Sequence, residues 1–310
     1  MLSPADLVTL PFDDWVNAFV RGWLVPNFRP AFRAAQVPVT ILLNNLNAFL
    51  LFVPMLLTTL AFAGVARWVV GRGMAIFTLI GFAFIDMIGL WPQTMTTLAM
   101  ILTSVIFCAV IGIPLGIFAA RSDRMWKITR PILDIMQTIP SFVYLVPIVM
   151  LFGVGMTPGI IATIIFALPP IVRLTNLGIR NVRADLIEAA HAFGSTGWQM
   201  LWDVQIPLAL RTIMAGLNQT LMLALSMVVI TALIGAGGLG LAVNTGLGRL
   251  DVGGATAGGM GIVILAIVLD RITQGLAEKA KVGRLSLRQS VVNLFRLRGS
   301  ALEGAIKKAG

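Results

Sequence analysis

The sequence predicts an all-α, polytopic membrane protein with about seven transmembrane helices. Of its 310 residues, 58% are hydrophobic and only 12% are charged, roughly half the charged fraction of a typical soluble domain. Uncharged stretches of about 20 residues, the length that crosses the hydrocarbon core of a bilayer, recur along the chain. The 23 basic residues also fall mostly on one side of the predicted helices. These three observations favour a multi-pass helical fold.

Each predicted helix lies in a run with few or no charged residues. The longest such run, 135–172, exceeds one span and contains a cluster of Gly and Pro near its middle, so it is divided into two helices. The seven predicted helices cover 46–66, 74–90, 95–119, 141–155, 159–178, 212–234 and 253–270.

The distribution of Lys and Arg predicts the orientation in the membrane. Cytoplasmic loops of membrane proteins are enriched in these residues. If the N-terminus lies outside, 19 of the 23 basic residues lie on the cytoplasmic side. We therefore expect an external N-terminus and a cytoplasmic C-terminus. The net charge of +10 then reflects topology, and no nucleic-acid partner is expected.

Four regions are expected along the chain. Residues 1–45 form an external arm whose Trp15, Phe19 and Trp23 recur at helical spacing. This pattern is typical of an interfacial amphipathic helix in contact with membrane lipids, and a dedicated partner-docking arm is the alternative. The other regions are two peripheral transmembrane helices at 46–90, a five-helix core at 91–275 with a cytoplasmic loop at 180–210, and a basic cytoplasmic tail at 276–310.

The chain lacks the motifs of an enzyme or a nucleotide-binding protein. Cys108 and His191 are its only cysteine and histidine, so neither a catalytic centre nor a Cys/His metal site is expected. The sequence from Gly235 to Gly240 matches G-x-G-x-x-G, but it follows an apolar helix and is interpreted as a break in that helix. No Gly-Lys dipeptide is present, which excludes a P-loop. If ATP drives transport, another chain binds it.

The segment 185–210 predicts two short cytoplasmic helices around a turn. Gly194 is placed to end the first helix in a left-handed conformation. Ser195 or Thr196 caps the second helix. That helix is expected to expose Trp198, Leu201 and Trp202. Pro207 either ends it or begins the next membrane span. The apolar faces need a cover, supplied by the membrane domain of this chain or by a separate cytoplasmic subunit.

This loop resembles the EAA loop of ABC importer permeases. The matching residues are Glu188-Ala189-Ala190, then Gly194, then Val204-Gln205-Ile206-Pro207, where the family usually has Ile-x-Leu-Pro. The resemblance implies a type I importer permease of the bacterial inner membrane with a MetI-like core, in which the loop docks on the ATPase subunit. It implies a role in ATPase coupling for Glu188, Ala189, Ala190, Gly194, Trp198 and Pro207. Glu188 is expected to pair with a basic group of the ATPase, or with Arg180 or Arg183 of its own chain.

Other segments resemble the glycine betaine/proline branch of these permeases. They include MQTIPSFVYLVPIVMLFGVG and ILAIVLDRITQ. This resemblance implies a homodimer, two copies of a cytoplasmic ATPase that bind ATP and magnesium, and an external substrate-binding protein. The solute is then glycine betaine, proline betaine, proline or a related quaternary amine, and the choice among these osmoprotectants stays open.

Helix-breaking and polar residues inside the predicted spans are candidates for the translocation path. They are Pro147, Pro169, Pro170, Asn218, Gln219 and Ser226. The polar ones either line a water-filled path or hold neighbouring helices together. The alternative function is a secondary transporter of a small zwitterion driven by an ion gradient. Such a protein is expected to place ionisable groups near the membrane centre, and the candidate Asp86 lies near the outer end of its predicted span.

Overall fold

The computed structural model describes residues 11–279, which fold into helices and short connections. The N-terminal helix begins as α1 (Phe12–Asn17), passes through a π-helical segment (Ala18–Leu24) and continues as α2 (Val25–Phe52). The following helices are α3 (Met55–Val69), α4 (Arg72–Met87), α5 (Trp91–Arg121), α6 (Asp123–Thr138), α7 (Ser141–Phe152) and α8 (Met156–Arg180). The chain ends with α9 (Ala184–Ala192), α10 (Gly197–Gln199), a π-helical segment (Met200–Gln205), α11 (Ile206–Thr231), α12 (Gly238–Gly248) and α13 (Val252–Lys279).

The helix predicted over 46–66 is interrupted at Pro54. Val53 is extended, with φ −70° and ψ 127°, and α3 begins immediately after the proline. A residue that precedes proline is disfavoured in the helical region, because the proline ring clashes with its backbone. The prediction of a continuous helix over 46–66 was therefore wrong. Residue 45, the expected end of the external arm, lies inside α2.

Five helical stretches in the described part of the chain are long and apolar enough to cross a membrane. The pair α6 and α7, bent by 99° at their junction, brings the number to six. The seven predicted helices included 46–66, which covers the end of α2 and α3, and 74–90, which covers α4. They did not include the candidate span Asp14–Phe52, most of which was expected to form the external arm. Helices α3 and α4 have 15 and 16 residues, so each is about 22–24 Å long and shorter than the ~30 Å hydrocarbon core.

Close packing of α5 against α8 forms the centre of the molecule. A Cβ atom on Gly116 of α5 would lie 2.6 Å from Cβ of Thr175 and 2.9 Å from the carbonyl oxygen of Val172. Gly112, one turn earlier, similarly faces Ile171. Gly112 and Gly116 are four residues apart on one face of α5, and their lack of side chains lets α8 approach closely. Helix α11 also packs closely against α8, where Gly178 of α8 faces Thr212 and Ala209.

Helix α13 carries the hairpin of α3 and α4. Gly81 of α4 faces Ile264, and Gly275 faces Val69. At the end of the described chain, the Lys279 ammonium donates to the Trp68 carbonyl and lies 4.2 Å from the centroid of the Trp68 ring. The basic tail and the first ten residues lie outside the described range.

The predicted break after α11 is present. Gly235 and Gly238 have φ of 79° and 78°, a left-handed region that favours glycine. Leu239 donates its backbone N–H to the Thr97 hydroxyl over 2.8 Å, which fixes the start of α12 against α5. The segment from Gly235 to Gly240 is thus part of a break in the helix, as predicted.

Candidate coupling surface and membrane path

The loop between α8 and α11 contains the predicted helix–turn–helix. Helix α9 ends at Ala192, and Gly194 follows with φ 80°. Its N–H donates to the His191 carbonyl over 2.9 Å, and the Ser195 N–H donates to the Ala190 carbonyl over 3.0 Å. These bonds satisfy carbonyl groups that a helix end leaves free. The left-handed turn at Gly194 is confirmed.

Thr196 caps the second helix. Its hydroxyl accepts the Gln199 N–H over 3.4 Å, and the Gln199 side chain accepts the Thr196 N–H over 2.9 Å. This reciprocal pair is a capping box. The helix continues through the π-helical segment directly into α11, whose second residue is Pro207. Pro207 therefore does not end the second helix; it lies inside the continuous helical stretch Gly197–Ile234, where the π-helical segment passes into α11.

A few side chains of the loop anchor it to the rest of the chain. Met200 and Leu201 are buried, with 4% and 1% of their surface exposed. The expectation that Leu201 is exposed beside Trp198 and Trp202 was wrong. In a π-helix of about 4.4 residues per turn, residues four apart share a face, whereas residues three apart diverge by more than 90°. Leu201 therefore turns inward while the two tryptophans stay together.

The remaining large apolar side chains of the loop are left uncovered. Phe193 is 90% exposed, Trp198 62% and Trp202 49%. The two tryptophan rings meet edge to face with centroids 5.6 Å apart. Helix α9 contains no buried residue. We call Leu186, Phe193, Trp198 and Trp202 the coupling surface. We predicted that either the membrane domain of this chain or a separate cytoplasmic subunit covers these side chains. The described residues of this chain do not cover them.

Ion pairs brace the base of the loop but do not include Glu188. Arg180 donates to Asp123 over 2.7 Å and to the Ala119 carbonyl over 3.0 Å. Arg183 donates to Asp185 over 2.6 Å. Both arginines considered as partners of Glu188 are thus engaged elsewhere, and the Glu188 side chain is exposed beside the coupling surface.

Asn218 joins α11 to α13. Its amide donates to Asp270 over 3.0 Å, and its carbonyl oxygen accepts from the Thr273 hydroxyl over 2.5 Å. Gln274 also donates to Asp270, over 2.6 Å. Asn218 was predicted either to line a water-filled path or to hold neighbouring helices together. The structure shows the contact between helices. Sequence reasoning missed Asp270, the last residue of the helix predicted over 253–270, because its partner Asn218 is 52 residues away in sequence.

The other path candidates fall into two groups. Gln219 and Ser226 are exposed on the face of α11 that this chain leaves open. Pro169 and Pro170 are buried within α8, and Pro147 is half-buried in α7. The candidates consequently do not form one continuous lining within a single copy of the chain. Among the described residues, no cluster of three or more His, Cys, Asp or Glu side chains is placed to hold a metal ion.

Residues 112–282 match the family described as the inner membrane component of binding-protein-dependent transport systems. The chain belongs to this family. The matched region extends from the middle of α5 through the coupling surface and α13, so it includes the helices that form the centre of the fold. The chain is therefore a non-catalytic, multi-pass permease subunit of an ABC transporter.

Two curated relatives and one solved structure extend this assignment. The glycine betaine/proline betaine transport system permease protein ProW of Escherichia coli is 55% identical over 281 residues, which are 91% of this chain and 79% of the relative. The glycine betaine transport system permease protein OpuAB of Bacillus subtilis is 48% identical over 89% of this chain and 97% of its own length. A chain of the inward-facing MetNI methionine ABC transporter superposes with a TM-score of 0.55 at 25% identity, covering 62% of this permease and 95% of that chain.

Proposed function

We propose that this permease imports glycine betaine, proline betaine, proline or a related quaternary amine. The proposal is supported by the names of relatives that are 55% and 48% identical to it over about nine-tenths of its length. A separate external protein captures the solute and delivers it. The permease supplies the membrane path and converts a cytoplasmic movement into opening of that path.

The coupling surface docks on a cytoplasmic ATPase subunit, which binds ATP and magnesium. The observation that carries this step is the exposure of Phe193, Trp198 and Trp202 on a braced loop. Exposed apolar anchors on short helices are typical of helix-in-groove docking. Ala189 and Ala190, as small residues of α9, allow close approach of the partner. Closure of two ATPase subunits then draws two such loops together and opens the path outward.

A second copy of the permease completes the path. Gln219 and Ser226 lie on the open face of α11, well inside an apolar helix. An amide facing lipid is costly, whereas an amide facing a water-filled interface is not. Two copies that face each other through α11 enclose such an interface. The buried prolines of α8 and the half-buried Pro147 lie behind this lining and shape the helices that move.

Uptake in reconstituted vesicles tests the proposal. The permease, its ATPase and a glycine betaine-binding protein are incorporated together, and radiolabelled glycine betaine is followed with ATP on the ATPase side. We expect ATP-dependent accumulation, which Trp198→Ala reduces at least tenfold. Trp15→Ala is the matched control, because Trp15 is similarly exposed, at 59%, but lies far along the chain from the coupling surface.

Two results would contradict the proposal. Accumulation that persists without ATP and disappears when the ion gradient is collapsed would indicate a secondary transporter. Equal uptake by the Trp198→Ala and wild-type complexes, at matched permease levels, would remove the role assigned to the coupling surface.

A further inference from the structure

Asp270 places a carboxylate among the packed membrane helices. Helix α13 (Val252–Lys279) is long and apolar enough to cross a membrane, and Asp270 lies about 27 Å along it. Its hydrogen bond to Asn218, the thirteenth residue of α11, sets it level with the middle of that helix. Ionisable side chains at such a depth commonly mark the route of a solute or an ion.

The negative charge of Asp270 has no counter-charge among the described residues. One carboxylate oxygen, Oδ1, accepts the Asn218 amide over 3.0 Å and the Gln274 amide over 2.6 Å, and both donors are neutral. Arg271 follows in sequence, but neighbouring residues of a helix point about 100° apart. The ion pairs found within residues 11–279 include neither Asp270 nor Arg271. Because an unpaired charge is costly away from water, we expect Asp270 to meet a cation that this chain does not supply.

Asp270 borders the open face of α11, where a solute can reach it. Its partner Asn218 adjoins Gln219, which is exposed on that face. Ala215, one turn before Asn218 on the same side of the helix, is also exposed. Asp270 itself is half-buried, and Gln274 beside it is exposed. The carboxylate therefore lies at the edge of the surface that we assigned to the membrane path.

The surroundings of Asp270 fit a quaternary ammonium better than a metal ion. Hard metal cations take about six or more oxygen ligands. Here Oδ1 is shared by two amides, and the Asn218 carbonyl oxygen accepts the Thr273 hydroxyl, which leaves Oδ2 of Asp270 as the oxygen without a donor among the described residues. A quaternary ammonium has no N–H group and presents methyl groups, so it needs a negative charge beside apolar surface. Ile267, one turn before Asp270, is 38% exposed, and Met222, one turn after Asn218, is half-buried.

We propose that Asp270 attracts the quaternary ammonium group of the solute as the solute leaves the path toward the cytoplasm. Helix α13 continues for nine residues beyond Asp270 to Lys279, so the carboxylate lies in the half of the helix nearer to the ATPase. Asn218 and Gln274 hold the carboxylate in position without neutralising it. The external protein selects the solute, and Asp270 contacts it only in transit. This inference rests on the proposed function, in which the solute is a quaternary amine.

Inhibition of uptake by tetramethylammonium tests this site. The permease, its ATPase and a glycine betaine-binding protein are reconstituted in vesicles, and tetramethylammonium chloride is supplied on the ATPase side. We expect it to slow glycine betaine uptake by the wild-type complex more than sodium chloride does at the same concentration, because it competes for Asp270. Asp270→Asn keeps an oxygen acceptor for Asn218 but removes the charge, so it should raise the half-inhibitory concentration about tenfold. It should also lower the maximal uptake rate and leave the half-saturating concentration of the binding protein unchanged.

Two further variants separate the charge of Asp270 from its structural role. Asp270→Glu keeps the charge and should keep most of the inhibition by tetramethylammonium. Glu278→Gln, which removes an exposed acid eight residues later on α13, is the matched control and should keep the wild-type values. The thermal unfolding midpoint of Asp270→Asn should equal that of the wild type, so that a change in inhibition reports the charge.

The outcomes distinguish this inference from the proposed function. Inhibition of the wild-type complex that is no stronger with tetramethylammonium than with sodium chloride overturns the inference alone. Equal inhibition of the Asp270→Asn and wild-type complexes does the same. A wild-type complex that shows no ATP-dependent uptake of glycine betaine contradicts the proposed function as well.

Discussion

The conformation of Gly194 makes it the most sensitive position of the coupling turn. Its φ of 80° is poorly tolerated by β-branched residues, at a cost of about 1–2 kcal/mol. We expect Gly194→Val to displace Phe193 and Thr196 and to abolish uptake in reconstituted vesicles. Gly194→Asn is the control, because asparagine occupies the left-handed region more readily, and it should retain most uptake. Normal transport by the valine variant would contradict a required turn.

Glu188 is exposed at the edge of the coupling surface, and neither Arg180 nor Arg183 pairs with it. Its remaining expected partner is a basic group of the ATPase. We expect Glu188→Lys to reduce both substrate-stimulated ATPase activity and uptake in vesicles, because it places like charges together at the junction. Asp203→Lys, at another exposed acid of the same loop, is the comparison. Wild-type values for Glu188→Lys at matched permease levels would leave the carboxylate without a role in coupling.

Asp270 of α13 accepts a hydrogen bond from the Asn218 amide in the middle of α11, and it also accepts one from Gln274 of its own helix. Removing its carboxylate leaves the Asn218 amide without an acceptor, which costs about 1–3 kcal/mol. We expect Asp270→Ala to lower the thermal unfolding midpoint of the purified permease, measured in detergent by fluorescence. Glu278→Ala, at an exposed acid eight residues later on α13, should have no such effect. Equal midpoints for the two variants would mean that the polar cluster adds no stability.

Among the helices, the sequence predicted those that lie in uncharged runs of ordinary span length. The ranges 95–119, 159–178 and 212–234 fall within or close to α5, α8 and α11, because charged residues at both ends limit a membrane helix. The break at Pro54 escaped prediction, since α2 and α3 are equally apolar and proline is tolerated inside α5 and α8. Asp270 was missed for a different reason, as its partner Asn218 is 52 residues away in sequence.

The α5–α8 contact depends on the absence of a side chain at Gly116. An added methyl group would overlap Thr175 and the Val172 carbonyl, and overpacking of this kind costs about 1–3 kcal/mol. We expect Gly116→Ala to lower the thermal unfolding midpoint and the yield of folded permease. Gly64→Ala in α3 is the matched control, because no atom lies within 4 Å of its added Cβ. A Gly116→Ala midpoint equal to that of the wild type would show that the two helices separate without cost.

At the scale of the whole molecule, two exposed apolar surfaces lie at opposite ends of the same helices. The coupling surface exposes aromatic side chains on short helices, and the turn at residues 247–252, between α12 and α13, exposes Leu247, Leu250 and Val252. Helices α8 and α11 connect the two ends without interruption over 25 and 26 residues. A movement imposed at one end therefore reaches the other through continuous helices, which is the property that coupling of ATP hydrolysis to solute release requires.

This polarity, together with 19 of 23 basic residues on one predicted side, leads to a prediction of orientation. The coupling surface and the C-terminus should lie in the cytoplasm, and the turn between α12 and α13, which contains Val252, should lie outside. Single cysteines report this cleanly, because the one native cysteine, Cys108, is buried. We expect a membrane-impermeant maleimide to label Val252→Cys in intact spheroplasts, and to label Ala192→Cys and Ser300→Cys only after lysis. Wild-type permease serves as the unlabelled control. Labelling of Ser300→Cys in intact spheroplasts would reverse the orientation and would place the coupling surface where no cytoplasmic ATPase can reach it.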